Sequence, residues 1–129
     1  MLEYMTLPEG VLPPVAPYSH AARAGDFLFV TGQLAEDPTT GEVQCGPIET
    51  QVKQVMENLQ LVLEHARTGF DRVVMARMFL TNFRDYEMAN AIYASYFSAG
   101  RLPCRTTVGV IALAGRGDVE IDLVVYCGS

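Results

Sequence analysis

Residues 103–126 read PCRTTVGVIALAGRGDVEIDLVVY, and their alternation decides the fold. Thr106, Val108 and Val110 fall on one face and Arg105, Thr107 and Gly109 on the other, the two-residue period of a β-strand. After a glycine-rich turn at Ala114 to Gly117, Val119, Ile121, Leu123 and Val125 alternate with Glu120, Asp122, Val124 and Tyr126. Two such strands in one sheet would let an arginine and a glutamate, each near a strand start, line one pocket. A guanidinium grips a planar carboxylate through parallel hydrogen bonds, and a carboxylate of suitable pKa moves protons or orients water. The spacing equally fits an ordinary ion pair tying two strands together.

Composition narrows the class. At 129 residues the chain has the size of one domain. Half its residues are apolar and the mean hydropathy is slightly positive, a surplus that points to a subunit interface. No apolar run approaches the ~18 residues that cross a bilayer. The first residues carry an acid, Glu3, where a secretory leader carries Lys or Arg, so a cytoplasmic protein is expected. Three cysteines without Cys-x-x-Cys spacing suit free thiols in a reducing compartment. A net charge of −6 repels phosphate backbones, which disfavours nucleic acid as a partner.

Outward from the opening stretch, the remaining elements follow from period and punctuation. Met1 to Thr6 reads as a short edge strand. The proline-rich run from Leu12 to Tyr18 reads as rigid extended loop that sets where Tyr18 points; a tyrosine there is either a packed amphipathic residue or part of a site. Ser19 to Ala24, the turn at Gly25 and Phe27 to Thr31 form a hairpin. The continuous apolar run from Phe27 to Val30 suggests a strand covered on both faces, and Gly32 marks a bulge or a close backbone approach. From Pro47 the period becomes helical. Val52, Val55, Met56, Leu59, Val62, Leu63 and Ala66 make the apolar stripe, Gln51 sits among the outward polar residues, and Gly69 lies just past the end. His65, on the last turn, suits a helix-end charge. Val73 to Leu80 is a strand, and Asn82 or Asp85 caps a second helix that buries Tyr86, Ala89, Tyr93, Tyr96 and Phe97. Asn90 flanks that stripe, where bonding to backbone is one plain use for it. The order predicts an α+β sandwich, a mixed sheet of about six strands with two helices on one face, residues 1–129 forming one domain. The other sheet face lacks a cover, which implies association through it.

Several chemistries find no support. There is no phosphate-binding or dinucleotide glycine motif. His20 and His65 stand at no ligand spacing with the cysteines, so no metal site is expected. Cys104 adjoins Arg105 but points to the opposite face, which argues against a catalytic thiol.

At PCRTTV and VEI, together with Ala16-Pro17-Tyr18, Thr31-Gly32-Gln33, Pro38 to Val43 and Asn90 to Tyr93, the sequence resembles the YjgF/RidA family over nearly its whole length. The resemblance implies a chorismate-mutase-like α+β subunit in a homotrimer with sites at subunit interfaces. It implies hydrolysis of reactive enamines and imines to 2-keto acids and ammonia, without cofactor or metal. Residue by residue, it implies that Arg105 clamps the substrate carboxylate and Glu120 positions or activates water. Tyr18, Gly32, Asn90 and Thr107 are then substrate-binding residues. Relatives often carry cysteine where Thr107 stands; threonine keeps the backbone groups and removes the oxidisable thiol. A ligand-binding, regulatory or chaperone-like trimer, and a ribonuclease, are the alternatives within such a family. His20 belongs either at the pocket mouth or at the surface.

Overall fold

A computed structural model describes residues 1–129. The strands are β1 (Leu2–Met5), β2 (Ala21–Ala24), β3 (Phe27–Gln33), β4 (Val73–Leu80), β5 (Cys104–Gly109) and β6 (Val119–Tyr126), with helices α1 (Ile48–His65) and α2 (Tyr86–Ala94). They form one sheet in the order β1-β2-β3-β6-β4-β5. Only β4 and β5 run parallel; the other neighbours are antiparallel. The two strands of the opening stretch therefore share a sheet but do not touch. The crossover through α2 brings β5 in parallel on the outer side of β4, and β6 takes the other side.

Helix α1 buries the predicted stripe. Val52, Val55, Met56, Leu59, Val62 and Leu63 are all sealed against the sheet, each contributing about 1.5–3 kcal/mol of transfer free energy. Gln51 departs from the expectation of an outward side chain. It is buried because its amide nitrogen reaches Asp118 Oδ2 at 2.8 Å and Gly46 O at 2.9 Å, while its oxygen accepts from Asp118 N–H. The helix ends before Gly69. Arg67 takes the left-handed conformation, Thr68 N–H reaches Leu63 O and Arg67 N–H reaches Glu64 O, the paired bonds of a Schellman stop.

Asn82 caps a 3₁₀ turn at Phe83–Asp85, accepting from Arg84 N–H at 3.0 Å, and α2 follows directly. Ala89 and Tyr93 are its buried residues. Tyr96 and Phe97 lie beyond its last turn. They still close the layer, Tyr96 O–H donating to Glu57 Oε2 of α1 and Phe97 packing on Phe70 and Tyr93.

Both helices cover one face of the sheet. Leu28 and Val30 point into that core, whereas Phe27 and Phe29 are 40% and 48% exposed on the other side. The two-sided cover expected for Phe27 to Val30 is thus supplied on one side only within the chain. Leu2, Tyr4 and Val108 are exposed too, and their places in the ladder put Leu2 and Tyr4 in the rows of Phe27 and Phe29. No helix is long and apolar enough to cross a membrane.

Candidate active site

Cross-strand partners point to the same side of a sheet, so the ladder assigns each site residue to a face. Arg105 pairs with Ala76, which pairs with Leu123, which pairs with Val30. All but Arg105 in that row are core residues. Glu120 pairs with Phe79, and Phe79 with Val108, a row on the open side. Arg105 and Glu120 of one chain therefore stand on opposite faces. They neither line one pocket nor form the ion pair that the spacing allowed; the ion pair present joins Arg77 to Asp122 at 2.6 Å.

The arginine half is built by β5 and α2. Arg105 Nη2 donates to Asn90 Oδ1 at 2.7 Å and Tyr86 Oη at 3.4 Å. Its Cζ lies 4.9 Å from the Tyr93 ring centroid and 5.7 Å from that of Tyr86, stacking worth roughly 0.5–2 kcal/mol. Nη2 is thus engaged in orientation, leaving the hydrogens of Nε and Nη1 without partners in the chain, charged donors suited to a carboxylate. Asn90 serves this purpose instead of bonding to backbone. Thr107, two residues on along the same face, has a buried Oγ1 without a partner, as does the Tyr93 hydroxyl. Burial pushes that phenol up to about 12, against the lowering effect of Arg105.

The carboxylate half is a cavity of about 480 Å³ on the other side, lined by Tyr18, Gly32, Glu36 and Glu120 with Val15, Leu34 and Val43. Gly32 sits in the β3 bulge, where the register with β6 slips between Val30 and Gln33. A Cβ there would overlap Glu120 Oε2 and come within 2.9 Å of its Cδ. The glycine is thus a close-approach residue that makes room for the glutamate head. Burial raises the Glu120 pKa first and the Asp122 charge second, with Arg77 pulling it down. The opposing cation is Arg77, not Arg105, and burial prevails. Tyr18 is also raised by burial, with smaller contributions from Glu36 and Glu120.

His20 is neither at the pocket mouth nor at the surface. It is 1% exposed, its Nδ1 accepts from Leu7 N–H at 2.9 Å and its Nε2 meets Leu12 O at 2.5 Å. An acceptor at Nδ1 leaves the proton on Nε2, so the ring is a neutral brace that pins both ends of the segment before Tyr18.

Glu36 is the site residue that sequence reasoning missed. It is 3% exposed, one oxygen accepts from Leu34 N–H at 2.6 Å, and burial raises its pKa, with that N–H pulling it down and the Glu120 charge adding to the rise. Its signal was an acid directly after the apolar pair Leu34-Ala35 and before a polar turn. A larger cavity of about 620 Å³ lies among Arg23, Arg67, Arg72 and Cys127. There Arg23 donates to Gly25 O and Cys127 O, and Arg72 to Tyr126 O and Gly128 O, so both guanidiniums are used to hold the C-terminal strand. None of the predicted site residues lines it.

The polar groups of this small α+β subunit face two ways, and comparison with known proteins names its kind. The family model described as Endoribonuclease L-PSP matches residues 10–127. A RutC family protein of Pyrococcus horikoshii is 37% identical over 92% of this chain and 93% of its own length. One of Synechocystis is 43% identical over 86% of each. Among solved structures, a conserved Rid family protein of Yersinia pestis superposes with a TM-score of 0.90 at 32% identity, over 98% of this chain and 99% of the other. RidA of an Antarctic Psychrobacter gives 0.88 at 31%, over 96% and 99%. The chain belongs to the Endoribonuclease L-PSP family, the YjgF/RidA family.

Proposed function

We propose that this protein hydrolyses reactive 2-imino and 2-enamino acids to 2-keto acids and ammonia, at sites completed between copies of the chain in a homotrimer. The observation that carries this reading is Arg105, whose oriented guanidinium keeps Nε and Nη1 free to donate and has no acid partner in its own chain. A small carboxylate is the complement of those charged donors. Glu120 stands on the uncovered sheet face, where Phe27, Phe29 and Val108 are exposed, so a second copy that packs this face against the first brings its own Glu120 and Tyr18 toward Arg105.

The chemistry needs little else. An imine conjugated to a carboxylate is already electrophilic, so anchoring and a placed water supply most of the acceleration. Arg105 holds the carboxylate, and Asn90, Tyr86 and Tyr93 hold Arg105. Glu120, raised in pKa by burial, accepts a proton from water as its oxygen attacks the C=N carbon. Thr107 offers backbone groups and an unpartnered hydroxyl to the substrate. Tyr18 and the apolar wall of Val15, Leu34 and Val43 border the Glu120 cavity, where they shield the reacting carbon from bulk water.

The test is complementation. Arg105→Ala and Glu120→Ala proteins, each inactive, are mixed, unfolded and refolded together. If Arg105 and Glu120 of one site come from neighbouring copies, every mixed trimer regains one intact site, and random assembly restores about a quarter of the parental rate of keto-acid release. Recovery at the level of the separate mutants rejects a shared site. Keto-acid formation by the parent no faster than the spontaneous rate rejects the deaminase reading itself.

A further inference from the structure

We propose that Glu36 is the acid of this site, giving a proton to the nitrogen that leaves the substrate while Glu120 takes one from the attacking water. The inference rests on the deaminase reading and adds a second carboxyl to it. Glu36 and Glu120 line the same cavity with Tyr18 and Gly32, and Glu36 is buried where Glu120 is half-buried.

Its position is built, not incidental. Leu34 N–H fixes one carboxyl oxygen at 2.6 Å. Asn58 of α1 donates to the backbone carbonyls of Glu36 and Leu34 at 2.9 and 3.2 Å, and Gln54 orients Asn58 by donating to its Oδ1 at 2.8 Å. No cation lies within ion-pair range of the carboxyl. A buried carboxyl without a cation favours its neutral form, which carries one O–H donor. Since Oε1 accepts from Leu34, that proton sits on Oε2. Burial outweighs the Leu34 N–H, which favours the ionised form, and the charge of Glu120 adds to burial. Glu120 thus takes the part of base and Glu36 that of acid. The other titratable groups facing the cavity are Tyr18 and Glu42, with Asp122 and Arg77 acting on Glu120 from its own side of the sheet.

The steps balance. Water oxygen bonds to the imine carbon as one water proton passes to Glu120, and the nitrogen, taking the C=N electron pair, receives the Glu36 proton, giving a tetrahedral amino alcohol. The proton on Glu120 passes back to Glu36. The C–N bond then breaks, its electron pair and the Glu36 proton go to nitrogen, and ammonia leaves as the hydroxyl gives its proton to Glu120 and becomes the ketone. That proton returns to Glu36 and restores the starting state. Nothing is oxidised or reduced.

Glu36→Gln keeps the acceptor for Leu34 N–H and removes the transferable proton; Glu36→Leu removes both. The experiment is the pH profile of kcat for parent and variants on an imino acid generated in situ by an amino-acid oxidase. The parent's kcat is expected to fall on the alkaline side well before Tyr18 ionises, since burial raises that phenol above its ordinary value of about 10. Both variants are expected to lose about 100-fold or more in kcat with KM within about threefold, and to lose that alkaline fall. A parent kcat that stays flat up to the phenol range, or either variant within about twofold of parental kcat, overturns the proposal. A parent that releases no keto acid above the spontaneous rate instead defeats the deaminase reading, and the acid role falls with it.

Discussion

Gly32→Ala separates what the fold needs from what the reaction needs. The substitution places a methyl group where Glu120 Oε2 now lies and within 2.9 Å of its Cδ and 3.1 Å of its Cγ. Carbon contacts settle near 3.5–4.0 Å, so the carboxylate head must move by about 1 Å. The backbone does not resist, because Gly32 is not among the residues with positive φ, and alanine at a compatible position gains ~0.4–1 kcal/mol from the unfolded state. Forcing Glu120 off its rotamer costs ~0.5–1.5 kcal/mol. The two nearly cancel, so the melting temperature is expected to stay within roughly 5 °C of the parent. A 1 Å error at the reacting group costs about 100-fold in rate, close to ~2.7 kcal/mol of transition-state stabilisation. The assay couples amino-acid oxidase to keto-acid detection, with thermal unfolding followed on the same preparation. A stable variant within about twofold of the parental rate would show that the present Glu120 position is not the one catalysis uses.

Three further outcomes follow from the geometry. Arg105→Lys keeps the charge but loses the fork and the stacking on Tyr93, so kcat/KM is expected to fall about 10- to 100-fold, a loss of one or two charged hydrogen bonds; a drop under threefold would mean a point charge suffices. Phe29→Glu on the open face is expected to yield smaller species in sedimentation and to abolish turnover while the far-ultraviolet spectrum is kept; intact assembly and rate would move the interface elsewhere. Glu36 is an acid whose folded-state pKa is raised, so its contribution to stability is complete below the unfolded carboxyl pKa and is lost as pH rises through the folded one. Glu36→Gln is therefore expected to melt higher than the parent at pH 7 and to match it near pH 4, checked by melting scans across that range; a variant less stable at pH 7 would mean the ionised form is the favoured one.

Much of the architecture was legible because strong periods are hard to misread. The α1 stripe from Val52 to Leu63, the limits of β4 and the alternation in β5 and β6 all appear as the sequence implied. Gly32 read correctly as a bulge and close approach, although nothing local named Glu120 as its neighbour. The errors concern what lies beside what. Alternation assigns a residue to one face of its own strand, but the face shared by β5 and β6 depends on β4 lying between them with its own register. Arg105 and Glu120 were consequently placed together when they stand back to back. His20 looked like a surface or pocket-mouth residue because its partners, the Leu7 N–H and the Leu12 carbonyl, lie in an irregular loop that no periodicity places. Gln51 looked like a surface residue because its partner Asp118 is remote in sequence. Glu36 escaped for the same reason, since a lone acid before a turn is usually solvated, and only the packing of Leu34, Asn58 and Tyr18 around it makes it unusual.

The His20 brace has a bearing on how tightly the Glu120 cavity is defined. With Leu7 and Leu12 both tethered to one imidazole, the prolines between Leu12 and Tyr18 span a strut fixed at its root, and little slack remains by which the phenol of Tyr18 can swing. Replacing that ring would leave the Leu7 N–H and the Leu12 carbonyl unpaired, so damage at an enclosed histidine would be felt at a phenol two positions before it in the chain.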